Sequence, residues 1–137
     1  MPDNGKIMSQ TYYERQSKLL YLYQESFIRK DMDAKETVMA LKMIGFSDGM
    51  AAIRVNEWAT LTNTFEPETE KAKKNRLKQR TSLEKYILQT SLGTKYYLRF
   101  KYIRSELSKE ETVKKLIQKG YSQEIARSLV NDWEAEK

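Results

Sequence analysis

Apolar residues along this chain recur three and four positions apart, and the pattern is written twice. Residues 36–58 (ETVMALKMIGFSDGMAAIRVNEW) align without a gap on residues 111–133 (ETVKKLIQKGYSQEIARSLVNDW), an offset of 75 at which ten of 23 pairs are identical. Val38, Leu41 and Ile44 fall on one side of a predicted helix, as do Val113, Leu116 and Ile117 on its counterpart. On the following helix Ala51, Val55 and Trp58 stand at i, i+4 and i+7, and Ala126, Val130 and Trp133 repeat that stripe. Each stripe predicts a helix face turned towards a core.

The same stretch carries start and stop signals. Asp33 and Ser108 each precede a Glu by three positions, the spacing of a capping box. Gly45 and Gly120 stand where a helix stops through a residue of positive φ, and Ser47 and Ser122 cap the helices that follow. Upstream, Tyr21 pairs with Tyr96, and Phe27-Ile28-Arg29 with Tyr102-Ile103-Arg104, which extends the repeat to first helices over 9–30 and 94–105. Gly93 interrupts the helical pattern just ahead of the second of these.

The predicted fold is all-α, two tandem three-helix modules joined by a basic helical segment. Residues 1–8 form a flexible N-terminus, 9–60 the first module, 61–93 the linker and basic segment, and 94–137 the second module. Trp, Phe and Tyr fill the two centres, because aromatic rings bury the most area per position. Between the modules, residues 59–66 (ATLTNTFE) lack periodicity and read as a loop, with Pro67 in the first turn of the next helix and Glu68 and Glu70 near its positive end.

Composition narrows the chemistry. The 137 residues are 39% hydrophobic and 32% charged, so any core is thin. Cysteine and histidine are both absent, which removes disulfides, thiolate nucleophiles, the usual zinc ligands and the commonest proton carrier near neutral pH. No catalytic constellation is present, so the chain reads as a non-enzyme needing no cofactor and no metal. No run approaches the ~20 apolar residues of a membrane span. The polar start MPDNG is unlike a signal peptide, and a cytoplasmic location is expected.

Charge is concentrated. The net charge is +6, yet residues 71–104 hold eleven basic side chains against the single acid Glu84, giving +10 there and −4 elsewhere. Within 71–80 (KAKKNRLKQR), a helix advancing ~100° per residue puts Lys71, Lys74 and Lys78 on one stripe and Lys73, Arg76 and Arg80 on roughly the opposite one. Only Ala72 and Leu77 are apolar, so the segment is expected to have no face to bury. Such a helix either bridges modules through solvent or is ordered by a partner, and a polyanion would relieve its self-repulsion. A second cluster, Lys95, Arg99, Lys101 and Arg104, alternates with Tyr96, Tyr97, Phe100 and Tyr102, the mixture that holds single strands by charge and stacking. Those rings also read as core, because Tyr96 and Tyr102 align with Tyr21 and Phe27, where no basic cluster exists.

The expected interface with DNA or RNA is therefore Lys71, Lys73, Lys74, Arg76, Lys78, Arg80, Lys85, Lys95, Arg99 and Lys101, with the modules holding a protein partner or a second copy of the chain. The alternative is an assembly protein whose basic segment meets an acidic partner. A basic helix without an apolar face has nothing to insert into a membrane.

The hairpin resembles two known families. Ser108-Lys-Glu-Glu111 with Leu116 and Gly120-Tyr121 resembles a repeat of the RecX family, regulators of the RecA recombinase built from tandem three-helix units. Leu41, Gly45-Phe46-Ser47 and Ala51 resemble the first two helices of a ubiquitin-associated domain, which touches its partner through a Gly-Phe loop. The two fit equally well, and neither is assigned. As helix-turn-helix readers the hairpins are poor, because Gln123, Glu124, Asn131 and Asp132 surround Arg127, the only base on that helix.

Overall fold

The computed structural model describes residues 4–62 and 66–137, with side chains from Thr11 onward. Among the described residues the chain is all-helical, with seven helices: α1 (Asn4–Ile28), α2 (Ala34–Met43), α3 (Asp48–Ala59), α4 (Glu70–Gln89), α5 (Ser91–Ile103), α6 (Lys109–Gln118) and α7 (Gln123–Ala135). Helix α1 begins at Asn4, inside the stretch expected to be flexible, and residues 63–65 of the expected loop lie outside the described residues.

Local chemistry sets the helix ends. The Asp33 carboxylate accepts from the Glu36 amide at 2.7 Å, and Ser108 makes a full capping box with Glu111. Ser47 and Ser122 accept from the Met50 and Ile125 amides, each at 3.2 Å. Gly45 and Gly120 leave α2 and α6 at φ of 116° and 103°, so that Phe46 and Tyr121 donate back to the carbonyls of Leu41 and Leu116. Positions 75 apart also match at Lys30 and Ser105, non-glycine residues with φ of 67° and 61° that end α1 and α5. Thr37 and Thr112 are buried, and each hydroxyl donates to the carbonyl of its cap residue at 2.7 Å.

Two starts differ from expectation. Helix α4 opens at Thr69, whose hydroxyl accepts from the Ala72 amide, because Thr is a stronger cap than the Pro67 upstream of it. The break before α5 falls at Thr90, three residues ahead of Gly93. Its hydroxyl donates to the Ile87 carbonyl at 2.7 Å and accepts from the Gly93 amide at 2.9 Å, turning the chain between α4 and α5. Gly93 lies inside the first turn of α5, where a Cβ would stand 1.8 Å from the Ile87 carbonyl oxygen. Glycine is what lets the corner close.

Among the described residues, most buried apolar side chains fall into two clusters. One gathers Tyr12, Leu19 and Tyr23 of α1, Leu41 of α2, Val55 and Trp58 of α3, and Ile87 of α4, with Tyr96 of α5 packed against it. The other gathers Leu98 and Tyr102 of α5, Val113 and Leu116 of α6, and Val130 and Trp133 of α7. Helix α5 serves both. The Tyr12 hydroxyl donates to the Ile44 carbonyl at 2.7 Å, joining α1 to the end of α2, and burial holds that phenol well above its usual pKa. Helix α4 packs along α1 and fills the first cluster with Ile87, which corrects the expectation of a segment standing clear in solvent.

Candidate nucleic-acid interface

Helices α1 and α4 run antiparallel: Ser26 meets Arg76 and Arg80, Tyr23 meets Glu84, and Arg15 meets Tyr86. This pairing separates the two basic stripes of residues 71–80. Lys73, Arg76 and Arg80 turn towards α1, and Lys71, Lys74 and Lys78 face solvent, joined two turns later by Lys85.

Arg76 is at the centre of the inward stripe and is only 7% exposed. Its Nε and Nη2 each donate to Glu68 at 2.9 Å, Nη2 also reaches Asp31 at 2.5 Å, and Nη1 donates to the buried Ser26 hydroxyl at 3.0 Å. Around this fork, Arg29 reaches Glu25 at 2.9 Å and Glu68 at 3.6 Å, and Lys73 reaches Asp31 at 3.5 Å. A planar guanidinium suits this bidentate geometry better than an ammonium does. Hydrogen bonding from Arg76 holds the Glu68 carboxyl below its usual value. Burial alone would raise the Asp31 carboxyl, but Arg76 and Lys73 outweigh it and the net shift is downward. The same carboxylates raise the Arg76 guanidinium further, so it stays charged.

The expectation that residues 71–80 have no face to bury is thus overturned. The buried face is ionic: Asp31, just beyond α1, and Glu68 supply its counter-charges, and Ser26 of α1 adds a hydroxyl acceptor. Arg76, expected to contact nucleic acid, is enclosed and unavailable to it. Arg80 is tied to the Ser26 hydroxyl at 3.0 Å and to Glu84 at 3.7 Å.

Further along, Arg99 grips Glu136 with two hydrogen bonds, of 3.0 and 2.6 Å, and Arg104 lies 3.9 Å from Glu106. Every arginine between positions 71 and 104 therefore has a carboxylate partner. The lysines divide otherwise: apart from Lys73, none of Lys71, Lys74, Lys78, Lys85, Lys95 and Lys101 makes an ion pair among the described residues. Lys95 and Lys101 belong to α5, over the rings of Tyr96 and Tyr97 at 5.2 and 5.4 Å. Phe100 and Tyr102 are buried, and Tyr96 is half-buried, its hydroxyl pushed up to about 12 by burial and by Tyr13.

Four residues beside the exposed lysine stripe carry no sign of a binding role in the sequence. Arg15, Lys18 and Tyr21 of α1 line a groove with Asn75, Lys78 and Gln79 of α4, and Tyr86 stands beside it under the Arg15 guanidinium at 5.3 Å. Alignment on Tyr96 groups Tyr21 with the core, yet Tyr21 is 59% exposed. Only the pairing of α4 with α1 brings these side chains together, and no local pattern announces that pairing.

Among the described residues, no three carboxylates are grouped to hold a metal ion, and no helix is long and apolar enough to cross a membrane. No family model, curated protein or solved structure gives a significant match to this chain.

Proposed function

We propose that this chain is a non-enzymatic, cytoplasmic accessory protein that binds nucleic acid through the outward face of α4. Its two halves, 9–60 and 94–137, are related three-helix modules. The shared cap, glycine and buried positions 75 residues apart support that reading. The observation that carries the function is the division of labour among the cations. The arginines of residues 71–104 are held by the chain's own carboxylates, whereas Lys71, Lys74, Lys78 and Lys85 are exposed and unpaired among the described residues. Exposed ammonium groups neutralise phosphates and release their counterions, giving affinity without sequence preference. Lys95 and Lys101 extend the field from α5, with no catalytic step implied.

Fluorescence anisotropy with labelled single- and double-stranded oligonucleotides at two salt concentrations tests this. Affinity should fall steeply with salt, and changing Lys71, Lys74, Lys78 and Lys85 to Ala together should flatten the log–log slope by about 3, at ~0.7–0.9 for each phosphate left without its cation. An unchanged slope, or no binding at low salt, refutes the reading.

A second reading, an assembly protein with an acidic partner, is favoured by exposed apolar side chains on the hairpins. Met50 and Ile53 of α3 and Ile125 of α7 face outward. Under that reading the four-lysine variant loses the acidic protein and never bound oligonucleotides.

A further inference from the structure

The groove between α1 and α4 has the chemistry of a binding site for one strand. It is open to solvent and offers about 950 Å³, and Arg15, Lys18 and Lys78 line it with Tyr21, Asn75 and Gln79. No carboxylate lines it, although Glu14, Glu25, Glu70 and Glu84 all lie on these two helices. Glu25 is held by Arg29, and Glu84 accepts from Tyr23 and pairs with Arg80. No carboxylate thus stands among the lining residues beside Arg15, Lys18 and Lys78, and charge complementarity selects an anionic occupant.

Two further features select its type. Tyr21 presents an exposed ring with no hydrogen-bond or ring partner among the described residues, while its counterpart Tyr96 is packed against Tyr12 with centroids 6.0 Å apart. An exposed ring flanked by cations offers a face for base stacking, which every base can use. Asn75 and Gln79 each supply both donors and acceptors, as base edges require and bare phosphate does not. The volume lies near the top of the ~300–1,000 Å³ range of pockets for small organic molecules. That is room for a nucleotide unit with its base unstacked, whereas a duplex keeps its base faces covered.

We infer that the α1–α4 groove binds single-stranded nucleic acid, with a base stacked on Tyr21 and the adjoining phosphates met by Arg15, Lys18 and Lys78. This rests on the nucleic-acid reading above and narrows it to one strand and one groove.

Full-length Tyr21→Ala, Tyr21→Phe and Tyr21→Trp chains test the inference with oligo(dT), a hairpin duplex, inorganic polyphosphate and polyglutamate as probes. Tyr21→Ala should bind oligo(dT) about tenfold more weakly, and Tyr21→Phe should match the parent. Duplex and polyphosphate affinities should not move. Because Trp58 and Trp133 are buried, the exposed indole of Tyr21→Trp should be quenched by oligo(dT) but not by polyphosphate. Tyr21 is exposed, so melting temperatures of all three variants should stay at the parent value. Unchanged oligo(dT) affinity in Tyr21→Ala overturns the groove, and the wider reading survives if Lys74→Ala/Lys78→Ala still weakens binding. Polyglutamate bound as tightly as oligo(dT) overturns it in favour of an acidic polypeptide. No oligonucleotide binding at low salt removes both proposals.

Discussion

Arg76 of α4 and Asp31, just beyond the end of α1, meet at 2.5 Å although 45 residues separate them in the chain. The contact fixes where α4 lies, and with Glu68 and Ser26 it makes the inner face of the basic helix structural. Removing Arg76 leaves Glu68 with only its 3.6 Å pair to Arg29, and Asp31 with only its 3.5 Å pair to Lys73. Arg76→Ala should lower unfolding stability by about 3 kcal/mol in urea titrations, as breaking one side of a buried pair does. Arg76→Lys should not restore it, because one ammonium cannot reproduce the fork across Glu68, Asp31 and Ser26. A loss below about 1 kcal/mol for Arg76→Ala, well short of the cost of breaking a buried pair, would show that Ile87 alone secures the helix.

The same cluster sets an acid response. The folded Asp31 and Glu68 carboxyls titrate below their ordinary values of 3.8 and 4.5. A depressed folded pKa gives stability that is complete above the unfolded value and disappears as pH falls through the folded one. The urea midpoint should therefore be level near neutrality and fall as pH drops through about 4.5 and below. The double variant Asp31→Asn/Glu68→Gln should start lower and fall less steeply. Parallel curves would exclude these two groups as the source.

Trp58 and Trp133 fill different clusters, each 5% exposed. Changing either to Ala should cost about 3–5 kcal/mol, and the two losses should add within roughly 0.5 kcal/mol. Chemical denaturation followed by circular dichroism provides the check. Normal stability with weakened partner binding would instead make the indoles interface anchors.

Two glycines should respond with opposite signs. Gly93→Ala forces a methyl against the Ile87 carbonyl and should destabilise by about 1–3 kcal/mol, with amide exchange rising at the α4–α5 corner. Gly49 lies in the first turn of α3, where a methyl would meet nothing within 4 Å, so Gly49→Ala should stabilise by about 0.5 kcal/mol. Matching signs would mean the corner is looser than its geometry.

The hairpins were legible in the sequence because caps, stop glycines and apolar stripes are decided within a turn or two of chain. Asp33, Ser47, Ser108 and Ser122 cap as their spacing indicates. The docking of α4 was illegible for the opposite reason. Lys73, Arg76 and Arg80 are as basic as Lys71, Lys74 and Lys78, and only the polar partners that the fold brings to Arg76 from 8 to 50 residues away show which stripe is buried. The repeat misled at Tyr21 because its counterpart Tyr96 rests against Gly45 and Tyr12 of the first cluster. No second hairpin lies beside Tyr21 to do the same. At the interface, the exposed lysines could be named from sequence, while Arg15, Lys18 and Tyr86 required the helix pairing.

Helix α5 gives Tyr96 to one cluster and Leu98 and Tyr102 to the other within seven residues. Neither cluster can therefore melt without loosening a wall of its neighbour. Heating should produce a single calorimetric transition, with the van't Hoff enthalpy equal to the measured one, and a fragment cut before α5 should lose cooperativity on both sides of the cut.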